Sequence, residues 1–262
     1  MSQVAVRFVL DTKLPTNDQL GEILRNVQGA KDVAGARAIR AFAADNTAVA
    51  QVNGGSLTSF TQNLSGQSKS DVKNSTLFAQ LASNVQADRY KEPLKWYQNY
   101  VSVLGQIGWN QPGFAFDTYS SGGTTVKMDE AVLGILAAIA TFDEVAIVAA
   151  TMDGLKSLGD DTKQLKIWDA SASNGSNGTF QIFPVDRTAN GDVVMVLNGM
   201  QFNATTSHGS FLWWSWSSTS IQIQRAANKF VLNEDVYKEV REAIVKRLGD
   251  RASQLVADIP IG

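Results

Sequence analysis

The most apolar part of the chain is the segment 131–150, in which only Thr141, Asp143 and Glu144 are polar. Thr141 and Glu144 have the spacing of a capping box, in which both side chains accept hydrogen bonds from free amides at a helix start. The segment is therefore predicted to form two helices joined near Thr141. Each half would be roughly 18 Å long, which is too short for roughly 30 Å of hydrocarbon. One continuous span would also bury both carboxylates in the bilayer. We therefore predict a buried central pair of helices.

Upstream of this segment, most apolar positions recur with the spacing of one helix face. The predicted elements are a strand at residues 3–10, a helix from Pro15, a helix at 31–44, a short helix between loops within 53–70, and helices at 71–90 and 94–107. The strand is predicted from a run of β-branched residues. The loops are predicted from many Ser and Gln residues and from Gly54 and Gly55. The first half is therefore predicted to be mostly helical.

Beyond residue 159 the pattern changes to the alternation that is typical of strands. Strands are predicted at residues 165–170, 179–185, 192–197, 200–206 and 211–224. Short turns separate them, so we expect an antiparallel meander. A last helix follows at 234–248, which Asn233 caps and Gly249 ends. The pattern predicts a single α+β domain over residues 1–262, with a mostly helical N-terminal half, a buried central helical pair, a C-terminal antiparallel β-meander and a closing helix.

Four aromatic residues lie close together at the start of the predicted strand 211–224. They are Phe211, Trp213, Trp214 and Trp216. If the strand packs on both faces, their rings belong to the core of a half-buried sheet. If one face is open, they form an anchor at a water–lipid boundary, where tryptophan is enriched. Both interpretations stay open, and the second makes these residues the candidate contact with a membrane or partner.

Composition removes several classes of function. The chain has 262 residues, 44% of them hydrophobic, and its formal net charge of −2 gives no attraction for nucleic acid. It has no cysteine, which excludes disulfides, thiolate metal sites and S-acylation. Its single histidine, His208, lies in a predicted turn, so multi-histidine metal sites are excluded as well.

No sequence motif for catalysis is present. The patterns GxxxxGK[ST], GxGxxG after a strand and GxSxG are absent. Adjacent acidic residues such as Asp160 and Asp161 do not share a helix face, so they are expected to cap helices or solvate turns. We predict that the protein is not an enzyme and has no cofactor. No basic region precedes a long apolar run at the N-terminus, so no classical signal peptide is predicted. The protein is expected to be cytoplasmic or to be released by a non-classical route.

Four stretches of the sequence together carry a resemblance to a known family. They are residues 74–82 (NSTLFAQLA), Trp96 and Tyr97 with 104–109 (LGQIGW), 178–182 (GTFQI) and 232–249 (LNEDVYKEVREAIVKRLG). In this order and spacing they resemble the Erwinia virulence factor (Evf) family, bacterial proteins linked to persistence in the insect gut. The resemblance implies a single α/β domain of complex topology, no known catalytic activity, and membrane binding helped by a palmitoylated cysteine. This chain lacks that cysteine, so any membrane binding must use exposed aromatic or apolar surface.

Two hypotheses of function follow. The first is a non-enzymatic virulence or toxin-like protein, insecticidal in one form of the hypothesis, that associates with host membranes. The alternative is a soluble binding protein that holds an apolar ligand, a lipid or a fatty acid, against the central helices. An enzyme ranks third, because it would need a polar pocket with converging carboxylates. The expected partner is thus a lipid membrane or an apolar ligand, and the oligomeric state is left open.

Overall fold

A mixed sheet of nine strands forms the centre of the computed structural model, which describes residues 2–27, 30, 49–110, 113–120, 122–205, 211–213 and 215–261. The strands are β1 (Val49–Asn53), β2 (Ser56–Phe60), β3 (Trp109–Asn110), β4 (Asp117–Tyr119), β5 (Thr125–Lys127), β6 (Ser173–Asn174), β7 (Asn177–Arg187), β8 (Val193–Ala204), β9 (Ser215–Ser217), β10 (Ile221–Leu232) and β11 (Val256–Ile259). Of these, β5 and β9 form a separate two-stranded sheet.

The described helices surround the sheet. They are α1 (Ser2–Asp11), α2 (Gly21–Val27), α3 (Gly66–Gln86), α4 (Pro93–Gln106), α5 (Met128–Ala137), α6 (Phe142–Lys156), α7 (Lys163–Ala172), α8 (Glu234–Leu248) and α9 (Arg251–Leu255), with a short 3-10 helix at Phe211–Trp213. Together with the sheet they confirm the predicted α+β class.

The strand order of the sheet is β11–β1–β2–β7–β8–β10–β3, and β4 and β6 pair with β10 and β7. The three long strands β7, β8 and β10 are antiparallel neighbours, with Phe180 opposite Met200 and Val194 opposite Val231. The predicted C-terminal meander is therefore confirmed. Strands β2 and β7 are parallel, and their pairing joins the antiparallel meander to the β1–β2 hairpin.

Side chains alternate between the two faces of the sheet, and each face has its own hydrophobic core. In β7, Phe183 and Val185 lie in a first core with residues of α1, α3, α4 and α8. Phe180 and Ile182 lie in a second core with residues of α5, α6 and α7. Since successive side chains of a strand point to opposite faces, the sheet separates two helical layers.

The predicted strand at residues 3–10 is wrong, because this segment forms α1. Ala5 and Val9 are buried while Val4 and Leu10 are exposed, which is the i, i+4 spacing of a helix that packs on one side. Contact of α1 with α8 supplies that burial. The β-branched composition pointed to a strand, and tertiary packing overrode this weak local preference.

The prediction of a short helix between loops at 53–70 is also wrong over its first half, which forms the turn of the β1–β2 hairpin and strand β2. Several of its polar side chains are buried and have distant partners. Asn53 donates from Nδ2 to Thr76 Oγ1 at 2.9 Å, and Ser59 and Thr151 join their hydroxyls at 2.7 Å. A pattern that assigns polar residues to the surface cannot detect a strand whose polar groups are satisfied inside.

Residues 165–170, predicted as a strand, belong to α7. Leu165, Trp168 and Ala172 are buried at helical spacing, which also matches the sequence once the period is taken as 3.6. The predicted helices corresponding to α3, α4 and α8 are confirmed. The helix predicted at 31–44 lies outside the described residues.

Candidate functional site

The four aromatic residues predicted to contact a membrane or partner do not lie on one long strand. The backbone of 211–213 is a 3-10 helix, β9 follows at Ser215–Ser217, and a turn precedes β10. The side chain of Phe211 and all of Trp214 lie outside what the structure describes. The role of these residues in contact with a membrane stays a prediction.

The two described tryptophans have different surroundings. Trp216 is only 5% exposed, and its ring lies 5.8 Å from that of Phe202 in the second core. Trp213 is half-buried beside that core, with Lys156 Nζ 5.9 Å from its ring centroid. Trp216 can therefore reach a membrane only by leaving the core, whereas Trp213 has one accessible side.

The segment 131–150 forms two helices, α5 and α6, joined near Thr141 as predicted. Thr141 Oγ1 accepts a hydrogen bond from the Glu144 amide at 3.3 Å, and Glu144 Oε2 accepts one from the Thr141 amide at 2.7 Å. The capping box is thus complete. Because it turns the Glu144 carboxylate towards the backbone, this side chain is only 5% exposed.

The junction of α5 and α6 exposes apolar surface. Phe142, the first residue of α6, is 86% exposed. We define the helix tip as Phe142 together with its exposed or half-exposed apolar neighbours, which are Ala137, Ala138, Ile139, Ala140, Val145 and Ala146. The same helices bury their other side in the second core, for example through Leu136 and Val148. The pair thus has one buried side and one side in contact with solvent, so the prediction that both helices are buried is correct for one side only.

Charge is unevenly distributed along the helix pair. The residues between Lys127 and Lys156 include no Lys, Arg or His. Asp129 and Glu130 lie in the first turn of α5 and Lys156 lies in the last turn of α6, so these charges are at the ends remote from the tip. With Glu144 buried, Asp143 is the exposed charged side chain beside Phe142.

No described helix is both long enough and apolar enough to cross a bilayer.

A cavity of about 550 Å³, here called the Arg89 cavity, opens on another part of the molecule. Its walls come from α2, the β1–β2 turn, the second half of α3, the α3–α4 turn and the end of α7. Leu20, Leu77 and Leu81 give it an apolar side. Arg89 and Ser171 give it a polar side. Neither the helix tip nor the aromatic cluster contributes to these walls.

Arg89 is only 7% exposed, and its surroundings hold it in place. Its Nη2 donates to the carbonyl oxygen of Thr179 at 2.6 Å, and its guanidinium lies 4.4 Å from the Trp96 ring centroid. Burial lowers the pKa of the guanidinium from its ordinary value, and the neighbouring tyrosines oppose this shift. Among the described residues, no carboxylate forms an ion pair with it.

Residues able to hold a metal ion do not cluster in the described part of the chain, where no group of three or more His, Cys, Asp or Glu side chains comes together. The buried polar groups instead serve the fold. Tyr97 OH, for example, donates to the Phe180 carbonyl at 2.5 Å and accepts from Gln181 Nε2 at 2.9 Å. That the protein is not an enzyme stays a prediction.

Sequence reasoning did not single out either Phe142 or Arg89. The sequence does hold a signal for the exposure of Phe142. This residue directly follows the N-cap Thr141, and the first residue of a helix need not lie on the buried face of that helix. For Arg89 no local signal exists, since its burial depends on Trp96 and Thr179, which are distant from one another in sequence.

No protein-family model and no curated protein matches the chain. Among solved structures, the chain is similar to that of the Evf virulence factor, with a TM-score of 0.37 and 13% sequence identity over 71% of this chain and 77% of that one.

Proposed function

We propose that the protein binds the surface of a lipid bilayer through the helix tip of α5 and α6. The observation that supports this function is the 86% exposure of Phe142 among apolar neighbours. A single exposed apolar side chain is common, but a contiguous exposed apolar patch often marks a surface that binds a partner or a membrane. Transfer of the Phe142 side chain to an apolar environment is worth about 1.5–3 kcal/mol.

The distribution of charge favours a bilayer surface as that partner. The tip is apolar, while the remote ends of the two helices carry Asp129, Glu130 and Lys156. At the surface of a bilayer, apolar hydrocarbon gives way to charged headgroups, and interfacial helices enter this boundary by about 5–10 Å. The helices therefore dip into the interface without spanning it.

The chemistry of the tip also predicts which lipids bind. It carries no cation and one exposed carboxylate, Asp143. Attraction to anionic lipid therefore contributes nothing, and neutral bilayers should bind at least as well as anionic ones. On this proposal the protein acts without enzymatic activity. The motif resemblance to the Evf family suggests a host membrane as its target and a virulence or toxin-like role.

Flotation with neutral and anionic liposomes tests the proposal. We expect the protein to float with neutral vesicles, and Phe142→Ser to reduce the bound fraction roughly tenfold or more, since it removes the burial of one aromatic side chain. Val245→Ser is the matched control, because Val245 is 49% exposed on α8 in the other helical layer.

Two results of the flotation would decide against this function. The first is the absence of co-migration with either type of vesicle. The second is equal flotation of Phe142→Ser and the unaltered protein. If Trp213→Ser abolished flotation while Phe142→Ser did not, the aromatic cluster and not the helix tip would be the contact with lipid.

A further inference from the structure

The Arg89 cavity contains a buried positive charge without a counter-ion. Burying a cation is costly unless an anion or several hydrogen bonds compensate it. Asp88 and Glu92 are close to Arg89 in sequence, yet none of the described carboxylates pairs with this guanidinium. Its Nε–H is buried and has no hydrogen-bond partner among the described residues, while Nη2 is bonded to Thr179. The arginine is therefore anchored at one nitrogen and unsatisfied at another.

The acidic residues that line the cavity have other partners. Asp88 lies 3.7 Å from Lys91 Nζ, and Glu92 lies 3.0 Å from Lys95 Nζ. Both pairs are largely exposed to solvent. Asp88 and Glu92 thus form ion pairs with surface lysines, and no described carboxylate compensates the positive charge of Arg89.

A second unsatisfied group lies in the same wall. Ser171, at the end of α7, is buried, and its Oγ has no hydrogen-bond partner among the described residues. The Arg89 guanidinium lies near the backbone of Ser171, because a Cβ added to Gly55 would lie 2.6 Å from Arg89 Nη1 and 2.7 Å from the Ser171 carbonyl oxygen. Glycine at this position of the β1–β2 turn is what leaves room for the guanidinium.

We infer that the Arg89 cavity binds a small molecule through an oxyanion group, a carboxylate or a phosphate, which the guanidinium of Arg89 holds. Arginine presents N–H groups in a fixed fork that suits these anions. The volume of about 550 Å³ suits a small organic ligand, and the leucines opposite would contact its apolar part.

This inference is independent of the proposed membrane binding, because the helix tip shares no residue with the cavity. A purely structural arginine is the competing explanation. It would use the stacking on Trp96 and the bond to Thr179 alone. The two explanations differ in what an added anion does to the Nε–H group.

The test follows the arginine Nε–H resonances of the full chain by NMR while inorganic phosphate or acetate is added at constant ionic strength. We expect the resonance of Arg89 to shift and saturate with at least one of the two, and the responding anion identifies phosphate or carboxylate as the group. Arg225, which pairs with Asp117 on the surface, serves as the internal reference. Its resonance should not saturate.

Two variants complete the design. Arg89→Gln should abolish saturation and also assigns the resonance, while Arg225→Gln should leave the affinity unchanged. If Arg89→Gln does not fold, sequential assignment identifies the Arg89 resonance, and the titration of the unaltered protein still decides. A resonance of Arg89 that moves with neither anion, or moves without saturation in parallel with Arg225, overturns the inference.

Discussion

At the scale of single residues, the hydroxyls of Tyr97 and Tyr100 show how differently two buried polar groups can be treated. Both rings lie within the first core. Tyr97 OH has partners on β7 and β8, including the Met200 amide at 3.1 Å, whereas Tyr100 OH is buried and has none in the described part of the chain. Burial raises the pKa of both phenols, so each remains neutral at physiological pH.

Replacing either tyrosine by phenylalanine should therefore have opposite consequences. Tyr97→Phe should lower the free energy of unfolding by about 1–3 kcal/mol, because it leaves the amide of Gln181 and other buried groups unsatisfied. Tyr100→Phe removes an unsatisfied hydroxyl and should be neutral or slightly stabilising. Urea unfolding of both variants gives the comparison. Equal destabilisation would show that Tyr100 OH has a partner that the structure does not record.

The raised phenol pKa values also determine how stability depends on alkaline pH. A phenol whose pKa is higher in the folded state favours folding below its unfolded value near 10. That contribution should be lost as the pH rises above about 10, towards the folded-state values. Stability should thus fall at alkaline pH, and the fall should be smaller in Tyr100→Phe, which removes one of the groups. Urea midpoints measured across this range test the slope, and an unchanged slope in Tyr100→Phe would contradict it.

At the scale of elements, the start of α6 was predictable because everything that defines it lies within four residues. The capping box of Thr141 and Glu144 needs no distant partner. The β1–β2 hairpin was not predictable, since its buried Asn53 and Ser59 form hydrogen bonds with residues of α3 and α6. The same distinction separates Phe142, which a local pattern could have indicated, from Arg89, whose cavity is assembled from distant segments.

The capping box gives a prediction with an internal control. Thr141→Val should lower the free energy of unfolding by about 1 kcal/mol, because the side chain loses its bond to the Glu144 amide. Thr162 occupies the N-cap of α7, but its side chain forms no capping bond. Thr162→Val should therefore change stability by less than about 0.5 kcal/mol. Similar losses of unfolding free energy in the two variants, measured by urea unfolding, would mean that the capping hydrogen bond of α6 does not stabilise the protein.

At the scale of the whole molecule, an ion pair joins α3 and α8 in the helical layer that also contains α1 and α4. Arg241 on α8 donates from Nε and Nη2 to the two carboxylate oxygens of Asp71 on α3, at 2.8 and 2.7 Å. The hydrogen bonds to Asp71 raise the pKa of Arg241, so this cation keeps its charge. The Asp71 side chain is 2% exposed and that of Arg241 is 31% exposed.

Breaking this pair should weaken the whole layer. Asp71→Asn should cost about 2–3 kcal/mol, somewhat less than for a fully buried pair because Arg241 still reaches solvent. Asp11→Asn is the control, since Asp11 and Arg7 form a surface pair that contributes little. Denaturant midpoints of the two variants decide the comparison. A loss for Asp71→Asn as small as that of Asp11→Asn would mean that the layer is held by its apolar contacts alone.

The order of strands has a consequence for how the protein matures. Strand β1 pairs on one side with β2, from which only two residues separate it, but on the other with β11, so Ala50 lies opposite Ile259. During synthesis, the hairpin is complete long before residues 256–259 emerge, and it must wait with one edge unpaired. Such an edge can recruit strands of other chains. Folding of this molecule is thus expected to finish late, and the nascent chain to depend on chaperones that shield that edge until β11 arrives.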